Sequence, residues 1–160
     1  MWVVRAGQKS IYFNDYIEKR RIFIPWDGYK CDLSKLDNLG DYRKLVLKEK
    51  GSDNSPVSIS NWTIQLFSFV REMRSDDYVL IPSELSRYYC LARIKGGYCY
   101  DGKAANGLYH SREIEILETN IPRGIFEQSI QYSLGAYRTI FHAKYEDEIL
   151  ETIDEWRKTR

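Results

Sequence analysis

Asp101-Gly102-Lys103 is the one acid-x-lysine triplet in the chain. Metal-dependent nucleases use that spacing on a strand, so that a carboxylate and an ammonium converge on one metal-bound water. Here the triplet lies in a Gly-rich stretch that reads as an exposed loop, and no paired acidic strand precedes it. The two histidines, His110 and His142, have no Cys, Asp or Glu at zinc-site spacing, so no metal site is expected. The sequence contains no nucleophile elbow, phosphate-binding loop or dinucleotide glycine fingerprint, and Gly96-Gly97 and Gly102 read as turn glycines. The residues therefore predict a non-catalytic chain without a cofactor, with any cutting domain outside it.

Aromatic and amide groups offer more. Thirteen Tyr and four Trp suit a β-rich fold, and also stacking on a planar ligand. The residues that must position them follow a readable pattern. Trp2–Arg5 reads as a strand, residues 14–19 as a short helix, and Arg21–Trp26 as a strand that Pro25 confines to an edge or ends. Leu39–Lys50 has helical periodicity, with Leu39, Tyr42, Leu45 and Val46 inward, and stops at Gly51. Residues 52–58 are a loop by composition.

Ile59, Trp62, Leu66, Phe69, Val70 and Met73 share one helical face, while Gln65, Ser68, Arg71 and Glu72 point elsewhere. Ser58 or Ser60 is the expected cap of that helix, and Ser75-Asp76-Asp77 the turn that follows it. Tyr78–Pro82 and Tyr88–Lys95 read as paired strands, and Arg112–Leu117 alternates as a half-buried strand. One or two short helices follow between Pro122 and Leu134. Ile140-Phe141 is either a last strand or a helical turn, and residues 145–160 are either a terminal helix or the start of a linker. Short strands mixed with helices, without a βαβ repeat, predict an α+β fold with a small curved sheet or barrel flanked by helices.

With 160 residues, the chain suffices for one core and falls short of two ordinary domains. Its 24 basic and 23 acidic residues give a net charge of +1, so a nucleic-acid surface would have to arise by local clustering. Cys31, Cys90 and Cys99 are odd in number and lack C-x-x-C spacing, and Met1–Arg5 does not read as a signal peptide, which predicts a cytoplasmic protein with reduced thiols. No apolar run approaches the roughly 20 residues that span a bilayer, so no membrane partner is expected.

The stretch from Ser58 to Tyr100 has the order helix, acidic turn, apolar strand, Pro-Ser and second strand. It resembles the central segment of EVE-type domains of the PUA superfamily, in the version found at the N-terminus of Mrr-type and McrB-like restriction proteins. Further stretches resemble the same module: WVVRAG at the start, Ile22–Ser34 with its Trp26 and Asp-Leu-Ser turn, Thr119–Arg123, and Tyr132-Ser-Leu-Gly-Ala136. The resemblance covers residues 1–144 as one base-reading domain. Departures are Asp76-Asp77 in place of Gly-Asp, and Tyr109–Arg112 in place of a basic His-rich stretch.

The resemblance, which extends distantly to YTH readers of methylated RNA, implies an aromatic pocket for a flipped, modified DNA base in a modification-dependent restriction system. The implied partners are modified DNA and a nuclease or NTPase domain or subunit. Trp26, Asp27, Asn61, Trp62, Ser83, Tyr98 and Tyr100 are the implied base contacts, with Trp26 as the first wall. Arg5, Lys9, Lys30, Arg87, Lys103 and Arg112 are the candidate phosphate contacts. Two other readings stay open: an RNA-binding accessory domain of PUA type, and a protein-interaction scaffold if the tyrosines form a flat patch.

Overall fold

A computed structural model describes residues 1–83 and 86–160. The fold is α+β, with a strongly curled, half-barrel sheet flanked by helices. The strands are β1 (Trp2–Val4), β2 (Arg21–Phe23), β3 (Tyr78–Pro82), β4 (Tyr88–Ile94), β5 (Cys99–Tyr100), β6 (His110–Pro122) and β7 (Ile140–His142). The helices are α1 (Phe13–Lys19), α2 (Leu39–Lys50), α3 (Pro56–Phe67), α4 (Gln128–Leu134) and α5 (Glu146–Lys158). The sheet order is β2-β6-β4-β3-β1-β7, with β5 added on β6, and β1 runs parallel to β3. Register shifts between β4 and β6 around Leu91 bend the ladder and help it curl.

Alternation along the strands sorts side chains onto two cores. Trp2, Val4, Val79, Ile81, Cys90, Ala92 and Ile94 face a core shared with α2 and α3, whereas Val3, Leu80, Tyr89 and Leu91 face a second core under α4 and α5. The tail is therefore a helix: α5 buries Ile149 and Ile153 in that second core. Acids in its first turn and Arg157 and Lys158 in its last complement its dipole.

Local chemistry fixes the helix ends. The Asn38 side chain accepts from the Asp41 amide to start α2, and Gly51 ends it at φ 91°. Tyr42 and Val46 point inward as expected, but Leu39 is half-exposed, because the cap places it on the outer side of the first turn. Helix α3 begins earlier than the serine-rich composition suggested: Ser55 is the cap, and Pro56 at the first helical position supplies the fixed φ that starts it. It runs into a π turn over Ser68–Glu72, closed by the Met73 amide donating to Ser68 O at 2.9 Å. Asp77 then ties this corner to the sheet, since its Oδ2 accepts from the Trp2 indole at 3.1 Å and the Arg74 amide at 2.9 Å. Among the described residues, no helix is long and apolar enough to cross a membrane.

Candidate functional site

A groove of about 620 Å³ opens between α3 with its π turn on one side and the α4–β7 segment on the other. Three stretches far apart in sequence meet there: Trp2 from the first strand, Asn61 from α3, and Tyr132, Ser133 and Ala136 from the Tyr-Ser-Leu-Gly-Ala run. The buried Trp2 ring stacks on His142 at a centroid distance of 3.6 Å and 28° between planes. Tyr132 is 80% exposed on the opposite wall. Arg138 and Lys144 also line the groove, facing one acid, Glu72, whose carboxylate accepts from Ser68 Oγ at 2.6 Å.

Gln65 holds the two walls together. Its Oε1 accepts from the Thr139 and Ile140 amides, both at 3.0 Å, and its Nε2 donates to Asn61 O at 3.2 Å. Periodicity pointed Gln65 and Ser68 away from the core, yet both are buried, because β7 packs on that side of α3 and needs a partner for its leading amides. The Asn61 side chain makes no hydrogen bond to any described residue, so its amide is available to a ligand edge.

Trp26 does not line this groove. It is half-buried against the first core, tilted against Tyr29 at 6.2 Å, and its indole donates to Thr139 Oγ1 at 3.2 Å. Trp26, expected as the first wall, thus lies outside this groove, whose aromatic lining includes Trp2, His142 and Tyr132. Trp62 likewise packs on the first core, with Lys50 Nζ 4.6 Å over its ring. Asp27 is exposed in the turn that follows Trp26.

Tyr98 and Tyr100 belong to a separate cluster around His110, which is 1% exposed. Tyr100 and Tyr98 stack on the imidazole at 5.4 and 5.7 Å. A carbonyl only accepts, so the 2.6–2.7 Å contacts fix the roles: His110 Nε2 donates to Tyr29 O, and Tyr98 hydroxyl donates to Nδ1. The Tyr98 oxygen in turn accepts from the Leu33 amide at 3.1 Å. The neutral imidazole thus joins the Tyr29 and Leu33 segments to the sheet.

Burial pulls the His110 pKa below its ordinary 6.5, outweighing the Tyr29 bond and Asp32, which act the other way. The unfolded chain therefore takes up a proton that the folded chain resists. Stability attributable to His110 is expected to fall as pH drops below about 6.5 and to level off once the folded imidazole protonates. Denaturant unfolding of wild type and His110→Gln from neutral to acid pH checks this, and an identical pH dependence in the two proteins refutes it.

The candidate phosphate contacts divide. Arg5 donates to the carbonyls of Arg138 (2.9 Å), Leu134 (3.1 Å) and Ala136 (3.0 Å) and to Ser86 Oγ (3.4 Å), so it clasps a loop instead of facing a phosphate. Arg112 is 5% exposed and bonded to the carbonyls of Phe69, Val70 and Gly96. Both guanidinium groups are engaged by backbone carbonyls. Lys30 lies 5.8 Å over the Tyr109 ring, and Lys103 is exposed in the turn after β5, where its amide donates to Asp101 Oδ1. Lys9, Arg87 and Ser83 come together in a second hollow of about 500 Å³.

Sequence reasoning missed His142, Arg138 and Lys144, since the groove exists only when β7 lies beside β1. The stacking His142 directly follows Ile140-Phe141, and its pairing with Trp2 is a register effect. Among the described residues, no group of three or more His, Cys, Asp or Glu side chains could hold a metal ion.

Residues 2–142 match the family model described as Domain of unknown function (DUF8426), and the chain belongs to that family. No curated protein matches it.

Proposed function

We propose that this member of the DUF8426 family reads a modified base in DNA, as the non-catalytic specificity module of a modification-dependent restriction system in the cytoplasm. A nuclease or NTPase domain or subunit would act on what it recognises. The observation that carries the reading is the convergence of Trp2, Asn61 and the Tyr132–Ala136 run, each from a stretch resembling EVE-type modules, on one groove. Its volume, about 620 Å³, falls in the range of small-ligand sites.

An extruded base loses stacking worth a few kcal/mol, which aromatic faces restore in part. Tyr132 and His142, the latter backed by Trp2, are the groove's faces for that contact. The free Asn61 amide would read the base edge, while Arg138 and Lys144 would meet the strand entering the groove. A methyl or hydroxymethyl group adds affinity through burial.

Binding to oligonucleotides carrying methylcytosine, hydroxymethylcytosine or methyladenine, measured beside unmodified DNA and matched RNA, tests the reading. One modified DNA should bind best, and equal binding to all probes would remove it. With the preferred probe, Asn61→Ala should weaken binding about tenfold, within the roughly 1–3 kcal/mol of a good amide–base contact. Its melting temperature should stay near wild type, since the amide bonds to no described residue.

A further inference from the structure

The second hollow, lined by Lys9, Ser10, Phe13, Asn14, Arg87 and Tyr88 among others, lies apart from the groove and takes no part in the base reading above. Its floor is built. Ser10 Oγ lies within hydrogen-bond distance of Pro82 O (3.2 Å) and Ser83 O (3.0 Å), which pins the Lys9-Ser10 pair, both at left-handed φ, against the end of β3. Ser83 Oγ bonds the Tyr88 amide at 3.1 Å and the Tyr88 carbonyl at 3.0 Å, which fixes the start of β4. Arg87 and Tyr88 are thereby presented outward, Tyr88 with 47% of its surface exposed.

Two cations stand at this hollow, and neither Lys9 nor Arg87 forms an ion pair with a described residue. An exposed aromatic face beside two cations that have no ion pair among the described residues matches an anion attached to a planar group, the chemistry of a nucleotide. One side chain bonds residues near both depressions. The Arg5 guanidinium that holds the carbonyls of Ala136 and Arg138 at the groove wall reaches Ser86 Oγ, beside Arg87, with its other nitrogen. A strand crossing that bridge would pass from one depression to the other.

We infer that this hollow is a second nucleotide subsite, taking one phosphate of the bound DNA strand between Lys9 and Arg87 and the attached base against Tyr88. The inference rests on the DNA-binding reading and adds to it a fixed path for the strand beside the extruded base.

The test compares wild type, the double variant Lys9→Gln/Arg87→Gln, and Tyr88→Ala on one methylated duplex oligonucleotide over a range of salt. All three side chains are solvent-facing, and circular dichroism and melting confirm folding of each variant. In the double variant the slope of log affinity against log salt should shrink by about 0.9, the share of one phosphate. Tyr88→Ala should keep the slope and lose roughly fivefold or more in affinity. The preference for modified over unmodified DNA, set in the groove, should persist in the variants.

Unchanged slope and affinity in these variants would overturn the subsite. So would saturable binding of a free deoxynucleoside monophosphate that depends on Lys9 and Arg87 while the duplex slope stays at its wild-type value, because the hollow would then serve a free nucleotide. Loss of base preference in wild type would defeat the groove reading alone, and a slope change in the double variant would still support the subsite.

Discussion

Arg112→Met is expected to destabilise the protein by about 3–5 kcal/mol, because each buried carbonyl left without a donor costs roughly 1–3 kcal/mol. The reason lies in how α3 ends. The π turn over Ser68–Glu72 closes with the Met73 amide on Ser68 O, and the chain then turns to extended backbone, so the carbonyls of Phe69 and Val70 have no partner within the helix. Arg112 enters from β6 and supplies both, Nε to Phe69 O at 2.7 Å and Nη2 to Val70 O at 2.9 Å, with Nη1 on Gly96 O at 3.2 Å.

Methionine keeps much of the volume and none of these donors. Arg112→Lys should fall between the two, since a single ammonium does not reproduce the planar fork. Guanidinium chloride unfolding measures both. A variant of wild-type stability whose DNA binding has become less salt-dependent would instead return Arg112 to the phosphate backbone.

Arg112 also marks where sequence reading stops. A charged residue in an alternating segment reads as a solvent-facing strand position, and nothing local indicates that a helix end 40 or so residues earlier will present its carbonyls there. The same holds for Arg5, whose carbonyl acceptors lie at the last residue of α4 and in the loop after it. Elements governed by local chemistry were legible. Helix α2 is bounded by its periodicity and Gly51, and β3 by its apolar run and Pro82.

Elements set by long-range pairing were not. Strand β6 was expected over Arg112–Leu117 but runs His110–Pro122, because β4 continues to pair with it as far as Tyr88↔Pro122. The tail from Tyr145 read equally as helix or linker until the second core gave Ile149 and Ile153 somewhere to pack. Asn61, which the resemblance implies as a contact, does line the groove, whereas the periodicity that serves the rest of α3 turns the buried Gln65 outward.

Trp26→Ala separates packing from recognition. The ring is half-buried against the first core and touches Tyr29, and its indole donates to Thr139 Oγ1. Truncation should therefore cost about 3 kcal/mol, the low end for removing a large core aromatic. Trp26→Phe should regain most of the packing and remain about 1 kcal/mol short, the usual worth of the missing hydrogen bond. Thr139 would keep its other bond, from its amide to Gln65 Oε1, so the groove wall should hold its position in the folded fraction.

At a temperature where Trp26→Ala is still folded, its preference for the modified probe over unmodified DNA should then stay within about twofold of wild type, since a lost base-stacking surface would cost more, about 1–3 kcal/mol. Melting and binding are measured on the same preparation. A protein that melts like wild type but no longer distinguishes the modified base would place Trp26 on the ligand, and the groove between α3 and β7 would then hold only part of the base-reading site.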